Sequence, residues 1–163
     1  FRKANEIIGR IKSDPLFMRF MSGEKQRIMT FEAFPDIVWK MKMDSYLEGI
    51  CITDLKVVAN FKSLPLWRYD LQGAVYQAGV EVVTGERLPF YLAVATKERV
   101  TDLDIFQIPQ STLDMARTEI IGNIERFSDV KKGLVPPMYC GRCDYCKSVK
   151  AASIRNYNEL LEL

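Results

Sequence analysis

The chain has 163 residues, enough for one domain with a sizeable core, and its 48% apolar and 27% charged residues are those of an ordinary globular protein. With 23 basic against 21 acidic residues the net charge is +2, so bulk charge neither supports nor excludes a nucleic-acid partner. Histidine is absent, which removes Ser-His-Asp and Cys-His nucleophilic catalysis and His-ligated zinc catalysis, leaving carboxylates, lysines, tyrosines and four cysteines for chemistry. No apolar run approaches the roughly 18 residues of a membrane span. Nothing at the start has the build of a signal peptide, so no membrane association and a cytoplasmic location are expected. The opening Phe1 predicts a fragment that lacks an N-terminal segment.

In chain order, Ala4, Ile7, Ile8 and Ile11 recur at helical spacing over residues 3–13. Asp14-Pro15 reads as an N-cap followed by proline at the first helical position, opening a short helix through Phe20 that Ser22-Gly23 ends. Residues 27–34 suit a short strand. Residues 37–44 alternate, with Trp39, Met41 and Met43 on one side and Lys40, Lys42 and Asp44 on the other. Ser45 to Gly49 reads as a turn, and the β-branched run 50–58, broken by Asp54 and Lys56, completes a hairpin. Residues 70–84 predict a helix closed by Gly85. Residues 89–95 and 104–108 predict two strands. Ser111 caps a long helix to Lys132, with Leu113, Ala116, Ile120, Ile124 and Phe127 on its inner face and Gly133 at its end. The order implies a mixed α/β (α+β) domain: a small central mixed sheet flanked by helices.

The chemically informative residues are Asp44 and, ten positions on, Asp54-Leu55-Lys56. Residues i and i+2 of a strand share a face, so Asp54 and Lys56 emerge side by side, and the hairpin returns Asp44 next to them. Carboxylate oxygens in this arrangement suit a hard cation, Mg2+ or Mn2+, which polarises a phosphodiester and acidifies bound water. Lys56 can orient that water, help deprotonate it or pair with the phosphate. A solvent-facing ion pair on an edge strand is the plainer explanation of Asp54 and Lys56. The apolar flanks Ile50, Cys51, Ile52, Val57 and Val58 weigh against it, because charges in such a strand are costly without a purpose. Gln72 and Tyr76 stand at i and i+4 of the next helix and share a face, while Gly73 and Ala74 allow close helix–sheet packing. That pair alone fits an ordinary partly exposed helix equally well.

An upstream Asp, then D/E-x-K on the next strand, then Q-x-x-x-Y on the following helix resembles the motif order of PD-(D/E)XK nucleases. The branch is that of RecE, RecB and lambda exonuclease. The residues that carry the resemblance are Asp44, Asp54-Leu55-Lys56 and Gln72 with Tyr76, and the stretch from Trp67 to Gln77 looks especially like a phage-borne RecE-like family. The likeness runs from about residue 20 to 150. It implies a restriction-endonuclease-like core forming a single domain over 1–163, with residues 136–150 a cysteine-rich knot at its C-terminal end. It implies that Asp44, Asp54 and the Leu55 carbonyl bind the metal, that Lys56 is the catalytic lysine, and that Gln72 and Tyr76 support substrate and site geometry. The family also has an acidic or histidine residue on an early helix. Glu6 and Glu24 are weak candidates here, and that helix is expected to precede Phe1.

Cys140, Cys143 and Cys146 form C-x2-C-x2-C, a spacing that suggests metal rather than disulfide in a cytoplasmic protein. Thiolates select Zn2+ or an iron–sulfur cluster. Cys51 faces away from Asp54 in its strand and reads as a core cysteine. Nucleases of the helicase–nuclease and CRISPR-adaptation groups carry a similar layout around a 4Fe-4S cluster, with one cysteine far upstream and a longer last spacing. Free reduced cysteines in a C-terminal turn are the alternative. Lys131, Lys132, Arg142, Lys147 and Lys150 form a basic cluster able to meet phosphates or simply solvent.

The expectation is therefore an Mg-dependent DNA exonuclease of phage or prophage recombination or end processing. Its partners would be DNA and a single-strand annealing recombinase, and homo-oligomeric relatives imply an oligomer. Two competing readings are a catalytically silent nuclease-fold module that grips DNA or a recombinase, and a redox or regulatory metal–thiolate protein.

Overall fold

The computed structural model describes residues 1–34, 37–154, 156 and 158. They fall into two compact units, Phe1–Glu125 and Arg126–Leu163. The first unit is built on a five-stranded sheet in the order β1-β2-β3-β4-β5. Its strands are β1 (Glu24–Phe34), β2 (Ile37–Leu47), β3 (Cys51–Val58), β4 (Phe90–Thr96) and β5 (Leu103–Gln107). β3 and β4 pair in parallel and every other neighbouring pair is antiparallel. A parallel pair needs a crossover, here supplied by a 3-10 helix (Phe61–Trp67) and α3 (Tyr69–Thr84). The mixed sheet flanked by helices expected from the sequence is the fold found.

The sheet's two faces follow from strand alternation. On β3, Ile52 and Asp54 face α3, and the register carries that face across to Leu92 on β4 and Phe106 on β5. Met29, Phe31, Met41, Met43, Val80 and Phe90 complete the core beneath α3. Gly73 and Gly79 let the helix approach. A Cβ at Gly73 would lie 2.6 Å from Phe90 Cδ1, and one at Gly79 would lie 2.5 Å from Phe31 Cε1. α1 (Arg2–Lys12) contacts β4, and α2 (Pro15–Phe20) contacts β5 and sets the Phe20 ring against that of Tyr91 at a tilt of 60°. Asp14 caps α2 by accepting the Phe17 N–H at 3.0 Å, as the Asp-Pro pair predicts.

Three local expectations need correction. β2 does not turn at Ser45 but continues to Leu47. Ser45 is fully buried because its hydroxyl accepts the Gly23 N–H and donates to the Phe20 carbonyl, both at 3.0 Å, so a residue that suits turns is satisfied inside a strand. The segment 61–67, between the regions that the sequence assigns, forms a 3-10 helix. Of the inner-face residues assigned to α4 (Gln110–Lys131), Leu113 and Ala116 are buried and Phe127 is exposed. Ile8 of α1 is likewise exposed.

The second unit holds the end of α4, a turn at Gly133 with φ 74°, and the short helix α5 (Asp144–Val149). No described helix is long and apolar enough to cross a membrane.

Candidate active site

Asp44, Asp54, Lys56 and Gln72 come together where β2 parts from β3. The β2–β3 ladder runs over Ser45↔Thr53, Tyr46↔Ile52 and Leu47↔Cys51. One residue beyond it, Asp44 Oδ2 accepts the Leu55 N–H at 3.0 Å, where a longer strand pair would offer a carbonyl. The hairpin thus ends on a side-chain contact, and both aspartates stand at that end.

Asp54 is 3% exposed. Gln72 Nε2 donates to its Oδ1 at 2.9 Å, and the Lys56 ammonium lies 2.5 Å from its Oδ2. Lys56 also donates to Gln72 Oε1 at 2.8 Å and sits 4.4 Å from the centre of the Tyr69 ring. Gln72 therefore uses both ends of its amide, one on the carboxylate and one on the ammonium, which fixes the orientation of its oxygen and nitrogen. Burial pushes the Asp54 carboxyl above the usual carboxylate range, and the Lys56 contact pulls the other way without cancelling it. A carboxylate kept on a buried strand at this cost needs a cation against it. Here Lys56 supplies the positive charge, and among the described residues Oδ2 accepts no other hydrogen bond.

Tyr76 reaches over the same end of the hairpin and donates to the Lys42 carbonyl at 2.8 Å. Burial raises its phenol's pKa, so it stays a neutral donor. Among the described contacts it fastens α3 to β2 and does not touch Asp54. Two residues near the site are not among the candidate site residues that the sequence offers. Gln26 stands on β1 between the Lys25↔Ser45 and Arg27↔Met43 pairs and donates to Asp44 Oδ1 at 2.9 Å. Tyr69 covers Lys56. A signal for Tyr69 was present: residues 69, 72 and 76 recur at helical spacing, so one face of α3 carries all three. Neither weak upstream candidate joins them, since Glu6 pairs with Arg2 and Lys3 while Glu24 pairs with Arg27.

In the second unit the Sγ atoms of Cys140, Cys143 and Cys146 all lie within 4.8 Å of one another. The Cys143 N–H donates to Cys140 Sγ at 3.3 Å, and the Cys146 N–H to Cys143 Sγ at 3.5 Å. N–H donation from Arg142 and Cys143 draws the Cys140 thiol down to about 6, so it is largely thiolate at neutral pH. Cys51 is 3% exposed in the first unit with its Sγ 3.8 Å from Thr53 Oγ1, in keeping with a core cysteine.

A mixed sheet whose parallel pair bears the D-x-K strand, facing a helix with the glutamine, defines a PDDEXK-like domain. Residues 1–149 match the family described as PDDEXK-like domain of unknown function (DUF3799), and the chain belongs to that family. It is similar to a solved structure from Eubacterium rectale described as a candidate exonuclease, with 40% identity and a TM-score of 0.87 over 99% of this chain. The chain spans 65% of that protein's length. A second solved structure, of SSO0001, aligns at 17% identity and a TM-score of 0.46 over 91% of this chain and 69% of its own. No curated protein matches the sequence.

Proposed function

We propose that this chain is a metal-dependent deoxyribonuclease that hydrolyses phosphodiester bonds at the Asp44–Asp54–Lys56 site. The observation that carries the reading is Asp54, a desolvated carboxylate whose Oδ2 meets, among the described residues, an ammonium and no hydrogen-bond donor besides it. The donor set fits Mg2+ or Mn2+. Asp44 and Asp54 offer carboxylate oxygens, and the Leu55 carbonyl lies on the same strand edge as the Leu55 N–H that meets Asp44. When bound, such an ion polarises the phosphodiester and lowers the pKa of a water.

The remaining work falls to side chains of α3 and β3. Lys56, held by Gln72 and roofed by Tyr69, presents its ammonium to a phosphate oxygen or the attacking water. Gln72 positions both Asp54 and Lys56. Tyr76 is a positioning residue that holds the helix over the hairpin. Exonuclease action is supported by the likeness to the Eubacterium rectale protein, and a place in phage-type recombination, beside an annealing recombinase and in an oligomer, by the RecE resemblance.

We further assign Cys140, Cys143 and Cys146 to a thiolate-bound Zn2+ or iron–sulfur cluster, on the strength of their clustered Sγ atoms and the lowered pKa of Cys140. The test is digestion of end-labelled linear duplex DNA with Mg2+, beside Asp54→Ala and Lys56→Ala. Progressive loss of DNA abolished by both substitutions is expected. DNA binding without cleavage by the metal-replete full chain would replace this reading with that of a silent DNA-binding module.

A further inference from the structure

Beside the acidic site lies an apolar groove of about 490 Å³ that the nuclease reading leaves without a role. Its floor is Leu92 and Phe106, and Phe61, Leu64, Tyr69 and Ile108 form its walls. The floor lies on the same sheet face as Asp54. The register runs Asp54↔Leu92 and Leu92↔Phe106, so the groove begins one strand from the buried carboxylate and ends two strands away. At roughly 4.8 Å per strand its far side is about 10 Å from Asp54. Tyr69 belongs to both sites, lining the groove while lying against Lys56.

Resting on the nuclease reading, we infer that this groove takes the unstacked base of a nucleotide adjoining the scissile phosphate. A nucleotide has a charged part and a flat apolar part a few ångströms apart, and the site offers the complement of each in that order. Lys56 and the carboxylates stand at one end, and three aromatic rings beside them. Phe61 and Phe106 meet edge to face at 5.3 Å, and both line the groove together with Tyr69. Such surface takes any base, because every base has a π face. On the same 3-10 helix, next to the groove residues Pro65 and Arg68, Leu66 and Trp67 are 79% and 64% exposed. The site would thus require a strand end, or a locally unpaired nucleotide, in place of intact duplex.

The test uses single-stranded oligonucleotides carrying 2-aminopurine or an abasic residue at successive positions, read by fluorescence in Ca2+ and by cleavage in Mg2+. Binding should raise 2-aminopurine emission at one position near the cleaved bond, where the base leaves the stack of its neighbours. Phe106→Ala should remove that rise and weaken binding between about fivefold and a hundredfold. Phe106→Leu, which keeps the core volume, should also lose the rise. An abasic residue at that position should cost wild type as much as Phe106→Ala does, and cost Phe106→Ala nothing more. An equal rise in wild type and Phe106→Leu, or additive losses, would overturn the inference. Because emission is read without cleavage, an inactive wild type sinks the nuclease reading while the groove is judged on binding.

Discussion

Asp54 and Cys140 are both candidate metal ligands, and the chain treats them in opposite ways. Asp54 is 3% exposed on a strand between β2 and β4, raised in pKa by burial, and held by Gln72 and Lys56 from two sides. Cys140 is exposed on a loop and lowered to about 6 by backbone N–H groups, and its hydrogen-bond partners among the described residues lie within its own seven-residue motif. In the first region the fold must pay to keep a charge inside, and surrounding elements are recruited to hold it. In the second the charge is favoured locally at little cost, by the N–H groups of the turn itself. The acidic site is preorganised by the fold, whereas the thiolate site is one that a ligand would organise.

The largest effect that would break this comparison is at the cysteines. Cys143→Ser should remove the thiolate-bound metal altogether and leave residues 136–150 open to limited proteolysis. Mn2+ binding at the acidic site should be unchanged. Next, Gln72→Ala should reduce Mg2+-supported cleavage by about ten- to a hundredfold, the usual cost of losing a residue that orients a metal ligand. Gln72→Glu should be no better, since it sets an acceptor against Asp54 Oδ1. Gly73→Ala sharpens the point on the packing side. Its Cβ would meet Phe90 at 2.6 Å and Leu113 at 2.9 Å, so thermal or denaturant unfolding should show a loss of about 1–3 kcal/mol. Cleavage should fall too, because the adjacent Gln72 moves with the helix.

The smallest effect is in pH dependence. A carboxyl whose folded pKa is raised favours the native state below its unfolded value, ordinarily 3.8, and loses that contribution as pH rises through the folded pKa. In metal-free protein, the melting temperature of Asp54→Asn minus that of wild type should therefore increase as pH is raised from below 3.8 toward neutrality. A flat difference would mean that Asp54 is not desolvated.

Much of this was legible because strands betray themselves when a rule is broken on them. The alternation of Trp39, Met41 and Met43 with Lys40, Lys42 and Asp44 fixes which side of β2 is buried, and Met41 and Met43 are indeed in the core. Asp54 and Lys56 stand out because their neighbours are apolar, and a fold keeps such charges only where they are used. Gly73 announces the close approach of α3. What was not legible depends on partners distant in sequence. Ser45 is turn-like until Gly23 and Phe20 satisfy its hydroxyl. Gln26 gains its place from hairpin register, and the 3-10 helix with Pro65 inside it has no periodicity long enough to read. The groove is assembled from β4, β5, the 3-10 helix and the start of α3, so no single stretch of sequence contains it.

The proposal that Asp44, Asp54 and the Leu55 carbonyl hold one hard divalent cation is tested by Mn2+ binding to the full chain, followed by electron paramagnetic resonance. One ion should bind per chain, compete with Mg2+, persist in Cys143→Ser and disappear in Asp54→Asn. Undiminished Mn2+ binding by a folded Asp54→Asn variant would contradict the account.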